Sequence, residues 1–159
     1  MLKLSTATRN ALLNDVGLKD QLDGGKLYLF AGPLPATADE ALDLVNDHTE
    51  CVVITNNGAG TPLTFDVPSN GVLNKAASQV WKGTVALDGA EAGAGTATPT
   101  FYRFCAGTDN GRGAANASTG YRVQGTVGGP NSGADLQLGQ ATLSNGNEQA
   151  IGAFGLSIL

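Results

Sequence analysis

Charged side chains are scarce in this chain, and the scarcity limits the partners it can have. Asp, Glu, Lys and Arg together make up 14% of the 159 residues, and the formal net charge is −5. Charged residues ordinarily form about a quarter of a soluble globular protein. The nine Lys and Arg residues are scattered along the chain, whereas nucleic-acid binding requires clustered cations that neutralise phosphates. We therefore expect no nucleic-acid partner.

Long apolar runs are also missing. Stretches such as "LYLF" and "CVVI" are far shorter than the roughly 20 residues that cross a bilayer as a helix. The opening "MLKLSTATRN" lacks the apolar core and the small-residue cleavage site of a secretory signal. We therefore expect no membrane partner and synthesis in a cytoplasm. In that compartment Cys51 and Cys105 are expected to be buried free thiols, and a disulfide is the less favoured state.

Groups that carry catalysis or bind metals are few. His48 is the single histidine, and a zinc site needs several nitrogen or sulfur ligands. A nucleophile pair of His48 and Cys51 is disfavoured, because side chains three apart along a strand point to opposite faces. The acidic stretch 39–47, "DEALDLVND", could hold a divalent cation, but a solvated helix face explains it better. We expect no catalytic residue, no metal and no cofactor, and hence no enzyme.

Glycine, in contrast, is abundant. The 23 glycines follow no collagen-like period, and glycine recurs where short strands turn. From His48 onward about eight short apolar or alternating segments are separated by turn signals, for example "TECVVIT", "LTFDV", "TFYRFC" and "YRVQGTV". "GVLNKAASQVWKGTV" is ambiguous between helix and strand. The pattern predicts a β-sandwich or jelly-roll-like fold.

Two helices are expected beside the strands. Ser5 or Thr6 can cap a first helix over "RNALLNDV", which Gly17 ends, and "LKDQLDGG" adds one more turn. Thr37 and Glu40 form a capping-box pattern that predicts a further short helix, with Val45 among its buried residues.

Together these segments predict a mainly-β single domain over residues 1–159. It comprises an N-terminal helical segment over 1–25 and a mostly β-sandwich part over 26–159, which includes the further short helix.

The order of several motifs resembles that of a family of small virion proteins from tailed bacteriophages. The resemblance is carried by "LKLSTATRNALL", "GGKLYLFAGPLPATADEAL", "LTFDVPSNGVLNKAASQVWKG", "TFYRFC" and "YRVQGTVGGPNSGADLQL", and it covers nearly the whole chain. It implies a structural component of the virion with a β-sandwich fold and no enzymatic activity. Within the particle it favours a capsid decoration or cement protein on the exterior of the head.

Such a protein would bind the major capsid protein and copies of itself, as a trimer or another symmetric oligomer. Two polar elements are expected to reach towards neighbouring subunits, namely the segment Met1–Arg9 and the loop Thr108–Gly120. The residues expected at the interface are Leu2, Leu4, Thr6, Arg9, Asp109, Arg112 and Asn116.

Two other functions remain open. The protein could belong to the phage tail, as a tube, baseplate or fibre-tip component. It could also be a carbohydrate-binding β-sandwich module that stacks a sugar on Trp81 or Tyr121, although a lone tryptophan is more often a core residue.

Overall fold

The computed structural model describes residues 2–157, and they form a mainly-β fold with two short α-helices, which confirms the predicted class. The helices are α1 (Thr6–Leu13) and α2 (Leu18–Leu22). The strands are β1 (Lys3–Leu4), β2 (Lys26–Ala31), β3 (Thr49–Asn56), β4 (Val72–Asn74), β5 (Trp81–Gly89), β6 (Thr96–Ala97), β7 (Phe101–Cys105), β8 (Arg122–Gly128), β9 (Leu136–Gln137), β10 (Leu143–Ser144), β11 (Glu148–Ile151) and β12 (Gly155–Ser157).

One large sheet organises the molecule. Its strands lie in the order β1-β8-β7-β2-β3-β5-β11, all neighbours being antiparallel, and β9 pairs with β8 in parallel. Two small antiparallel sheets, β6 with β10 and β4 with β12, accompany it. The large sheet therefore supplies the framework on which the other segments pack.

The central strand β2 shows that both faces of this sheet are covered. Leu27 and Leu29 belong to the main hydrophobic core, whereas Tyr28 and Phe30 belong to a smaller apolar cluster. Alternate side chains of a strand point to opposite faces. A strand that is buried on both faces reads as a continuous apolar run, which explains "LYLF".

Aromatic rings fill the main core. Trp81 is 1% exposed, and its ring centroid lies 5.4 Å from that of Phe65 and 5.5 Å from that of Phe154. Its indole Nε1 donates a hydrogen bond to Gln79 Oε1 at 3.0 Å. The suggestion that Trp81 offers a platform to a sugar is therefore wrong, because its ring is inside the core.

The N-terminal helices follow the expected signals with shifted bounds. Ser5 caps α1, since its Oγ accepts a hydrogen bond from the Thr8 amide at 3.2 Å. The buried residues on this helix are Ala7, Thr8 and Ala11, whereas Leu13 is 85% exposed. Small side chains thus bring α1 close to the sheet, and Leu13 at its end faces outward, whereas Leu12 is half-buried.

The further short helix expected from Thr37 is absent, and that prediction is wrong. Residues 37–47 form turns and irregular structure, and Val45 is 84% exposed. A helix needs its carbonyl groups for its own amides, but arginines from the large sheet bind the carbonyl oxygens of Ala38 and Glu40. The Glu40 carboxylate accepts hydrogen bonds from Ala36 and Thr37.

The segment "LTFDV" also differs from its prediction. It forms isolated bridges, Gly25 to Leu63 and Phe65 to Lys75, rather than a strand. At Phe65 a side chain takes the place of a strand partner, since its amide donates to Asp23 Oδ1 at 2.8 Å. The expected terminal strand "AIGAFGLSIL" is divided between β11 and β12, and Ile158 and Leu159 lie outside the described residues.

Candidate interaction surface

Two long loops cover the face of the large sheet that carries Tyr28 and Phe30. We call them together the loop layer: residues 32–48 connect β2 to β3, and residues 106–121 connect β7 to β8. The two loops are hydrogen-bonded to each other. The Leu42 amide donates to the Arg112 carbonyl at 2.7 Å, and the Ala115 amide donates to the Asp39 carbonyl at 2.9 Å. The layer is therefore one connected unit.

Arg103, on β7, holds this layer from beneath. Its side chain is completely buried. Nη1 donates to the carbonyl oxygens of Glu40 at 2.8 Å and Gly111 at 2.6 Å, one in each loop. Burial, reinforced by the nearby Arg122 cation, lowers the pKa of Arg103 to about 10. The guanidinium thus joins both loops to the sheet.

Arg122, on β8, repeats this arrangement with a charged partner. It is 2% exposed, and its Nε and Nη2 donate to the Asp109 carboxylate at 2.6 and 2.7 Å. Its Nη1 donates to the carbonyl oxygens of Ala38 and Gly113. Burial is the largest influence and lowers the pKa of Arg122, but the hydrogen bonds to Asp109 and the charges of nearby acidic groups together outweigh it, so the pKa lies above its ordinary value.

Gln124 and Lys3 hold the beginning of the first loop. Gln124, which is fully buried on β8, donates from Nε2 to the Pro35 carbonyl at 3.0 Å. Lys3 Nζ donates to the same oxygen at 2.7 Å. Buried carbonyl groups of irregular segments need such partners. Polar side chains of the sheet therefore fix the backbone of the loops above them.

Arg112, in the second loop, forms ion pairs with two strands of the large sheet. Its side chain is 32% exposed and pairs with Glu50 on β3 at 2.9 Å and with Asp88 on β5 at 2.7 Å. The hydrogen bond to Glu50 raises the pKa of Arg112 above its ordinary value. The second loop, which Arg103 and Arg122 already hold to β7 and β8, is thus also tied to the strands on the other side of β2.

The N-terminal segment is built into the same region. β1 pairs with β8, and Ser5 Oγ donates to the Gly120 carbonyl at 2.7 Å. Thr8 Oγ1 accepts a hydrogen bond from the Arg122 amide at 3.0 Å. Thr6 donates from its amide and hydroxyl groups to Asp39. The structure therefore brings the two expected reaching elements side by side, and residues 2–9 form a sheet edge and a helix turn rather than an extended arm.

The seven residues expected at an interface differ in how they are placed. Leu2 and Leu4 are partly buried against the main core. Thr6, Asp109 and Arg112 are half-buried and bind other parts of the chain.

Arg9 and Asn116 are exposed. Arg9 donates to Thr6 Oγ1 at 3.0 Å, and Asn116 Oδ1 accepts from the Ser118 and Thr119 amides. Met1 lies outside the described residues. The role of the seven residues in binding a partner stays a prediction.

Exposed apolar side chains are the feature of this surface that the sequence interpretation missed. In the loop layer Val45 is 84% exposed and Leu34 is 38% exposed, and at the end of α1 Leu13 is 85% exposed. The assumed helix from Thr37 placed Val45 inside. The prolines around Leu34 were the available signal that this segment is irregular.

The remaining chemical candidates are separate from one another. His48 is half-buried, with Nε2 2.9 Å from the Pro33 carbonyl oxygen and its ring edge-on to Phe101. The Asp43 carboxylate accepts hydrogen bonds from Val45 and Asn46, and those to Asn46 hold its pKa below the ordinary value. Among residues 2–157 no group of three or more His, Cys, Asp or Glu is arranged to hold a metal ion.

Comparisons with known protein families, with curated protein sequences and with solved structures find no match to this chain. Neither helix between residues 2 and 157 is long and apolar enough to span a membrane. The resemblance to phage virion proteins therefore remains a prediction from the motifs.

Proposed function

We propose that this protein is a structural component of a phage virion that decorates the capsid exterior and binds the shell through its loop layer. The observation that carries the proposal is the fixation of both loops by buried Arg103 and Arg122. Loops held in one conformation lose little entropy when they bind, so weak contacts suffice for association. Repetition of such contacts over a lattice raises the overall affinity without any reaction.

The exposed side chains of the layer suit this role. Val45 and Leu34 present apolar contact points on a layer whose buried charges are already paired or hydrogen-bonded within the chain. Apolar residues at the centre of an interface with a polar rim are typical of protein–protein contacts. The partner is the major capsid protein, and copies of this chain around a symmetry axis complete the arrangement.

The valines of the chain permit a matched test. Val45, in the loop layer, and Val67, in the connection before β4, are 84% and 80% exposed. Purified protein is added to shells that lack it, and the bound fraction is measured by co-sedimentation. Val45→Lys should lower the affinity for shells at least about tenfold, because interface-centre residues dominate binding, and Val67→Lys should leave it unchanged.

Three outcomes would contradict the proposal: no binding to shells, binding to isolated tails instead, or equal effects of the two substitutions. A deletion phage provides the second measurement. Its capsids should release DNA at a lower temperature than those of the parent phage, and added wild-type protein should restore the parent temperature.

A further inference from the structure

A polar pocket lies where β7 ends and β8 begins, beside the end of α2. Its volume is about 510 Å³, which falls in the range of small-molecule sites. The lining comes from α2 and its C-terminal end, from residues 106–109, and from the return of the second loop to the sheet; it includes Gln21, Asp23, Thr108, Asn116, Thr119 and Tyr121. The second loop of the loop layer forms part of this lining, whereas the apolar contact points assigned above to shell binding, Leu34 and Val45, lie in the first loop.

Gln21 gives the pocket an unused hydrogen-bond acceptor. The residue is 3% exposed, and its Nε2 donates to the Val16 carbonyl at 2.8 Å, which fixes the orientation of the amide. Its Oε1 is buried without a hydrogen-bond partner among residues 2–157. A buried acceptor that lacks a donor is unfavourable, and a ligand that donates a hydrogen bond would satisfy it.

The charges that line the pocket are already balanced. Asp109 is paired with Arg122 through two hydrogen bonds. Asp23 is paired with Lys19 and also accepts from the Phe65 amide. Nη1 of Arg122 donates to two backbone carbonyls. Neither an anion nor a cation would find an unpaired opposite charge, so the lining favours a neutral ligand.

The other side chains of the lining suit hydroxyl groups. Thr108 and Thr119 are exposed, and a threonine hydroxyl can donate and accept. Tyr121 is half-buried and combines an apolar ring face with a polar hydroxyl. A ligand with several hydroxyl groups and an apolar ring face matches this combination. We infer that the pocket binds a neutral sugar unit, with Gln21 as an acceptor and Tyr121 as the ring that lies against the sugar.

The test uses the isolated protein with the methyl glycosides of glucose, galactose, mannose and N-acetylglucosamine. Saturation-transfer NMR detects binding, and titration gives the dissociation constants. Thr119→Val and Gln21→Met should each weaken the best glycoside about fivefold or more, since each removes one hydrogen bond. Thr84→Val is the matched control, because Thr84 is exposed on β5 outside this pocket, and it should bind as the wild type does.

Thr119 is exposed, so its variant keeps the test valid if Gln21→Met fails to fold. The inference is overturned if none of the glycosides shows saturation transfer, or if all variants bind equally. It is also overturned if Nα-acetyl-lysine amide, whose side-chain ammonium is charged, binds while the glycosides do not, since the pocket would then be a cation site. Shell binding by Gln21→Met and Thr84→Val is measured separately and should be unchanged, because Gln21 on α2 and Thr84 on β5 lie outside the loop layer.

Discussion

Arg103 and Gln124 face each other across β7 and β8, and Arg103 Nε donates a hydrogen bond to Gln124 Oε1 at 2.8 Å. Both side chains are completely buried. The amide of Gln124 then continues to the Pro35 carbonyl. Through this pair, two strand residues supply the hydrogen-bond donors that hold loop carbonyls in place. Apolar side chains at the same positions would leave those carbonyls without donors.

Replacement of Arg103 by methionine should lower the free energy of unfolding by about 2–4 kcal/mol. It leaves the acceptors Gln124 Oε1, Glu40 O and Gly111 O without their donor, and each buried unsatisfied group is costly, although removal of a buried charge offsets part of this loss. Urea unfolding measures the change. Amide hydrogen exchange should accelerate in residues 32–48 and 106–121 more than in β2. Unchanged exchange in the loops would contradict the role of Arg103.

Substitution of two aspartates compares the contribution of a buried ion pair to the free energy of unfolding with that of an exposed one. Asp109→Asn leaves the buried Arg122 without its counter-charge and should cost about 2–4 kcal/mol of unfolding free energy. Asp88→Asn removes a partner of Arg112 whose side chain is 63% exposed, and it should cost less than about 1 kcal/mol. Urea denaturation of both variants checks the ranking. Equal costs would show that Asp109 is not essential to the layer.

Ser5 links the first helix to the loop layer. Ser5→Ala removes the cap of α1 and the hydrogen bond to the Gly120 carbonyl, so it should lower the free energy of unfolding by about 2–3 kcal/mol. Ser118→Ala is the control, because Ser118 is exposed in the second loop. Thermal unfolding should show a clear decrease in Tm for Ser5→Ala alone.

The two thiols should be inert in the folded protein. Cys51 and Cys105 are free and buried, and burial raises the pKa of Cys51 to about 12. Burial likewise raises the pKa of Cys105. Only thiolates react readily, so 5,5′-dithiobis(2-nitrobenzoate) at pH 8 should label neither thiol until urea unfolds the chain. Ser118→Cys, which introduces an exposed thiol, should react at once.

The same shift has a consequence for stability. When folding raises the pKa of a group, the resulting contribution to the free energy of unfolding is fully present below the group's ordinary pKa. This contribution is lost as the pH rises towards the pKa of the folded state. For Cys51 this window runs from 9.0 to about 12, so the free energy of unfolding should decrease in this alkaline range. Cys51→Ala should reduce the slope. Rapid labelling of the native wild type would contradict both expectations.

Strands of the large sheet were predictable where they correspond to a local sequence pattern, either alternating side chains or a short apolar run. Alternation in "YRVQGTV" and the apolar run "LYLF" both correspond to strands of the large sheet. Gly125 within the first of these looks like a strand breaker. It lies opposite Tyr102, whose ring occupies the space that a side chain would need. A neighbour of this kind cannot be identified from one strand alone.

The loop layer was not predictable, because its conformation depends on partners distant in sequence. Thr37 and Glu40 carry a valid local helix signal, but Arg103 and Arg122 bind the carbonyl oxygens in this segment. Arg103 and Arg122 are charged residues within strands, and the sequence pattern gives only the face to which they point. The interface residues were predicted from polarity and position in the chain, and these do not distinguish exposed Asn116 from Asp109, whose carboxylate binds Arg122.

The central proposal is that this chain decorates a phage head, and electron cryomicroscopy of the particles produced from the genome that encodes the chain tests it most directly. We predict density on the outside of the head that fits the fold of residues 2–157, with the loop layer against the major capsid protein. Density for this chain in the tail, or a head surface without it, would contradict the proposal.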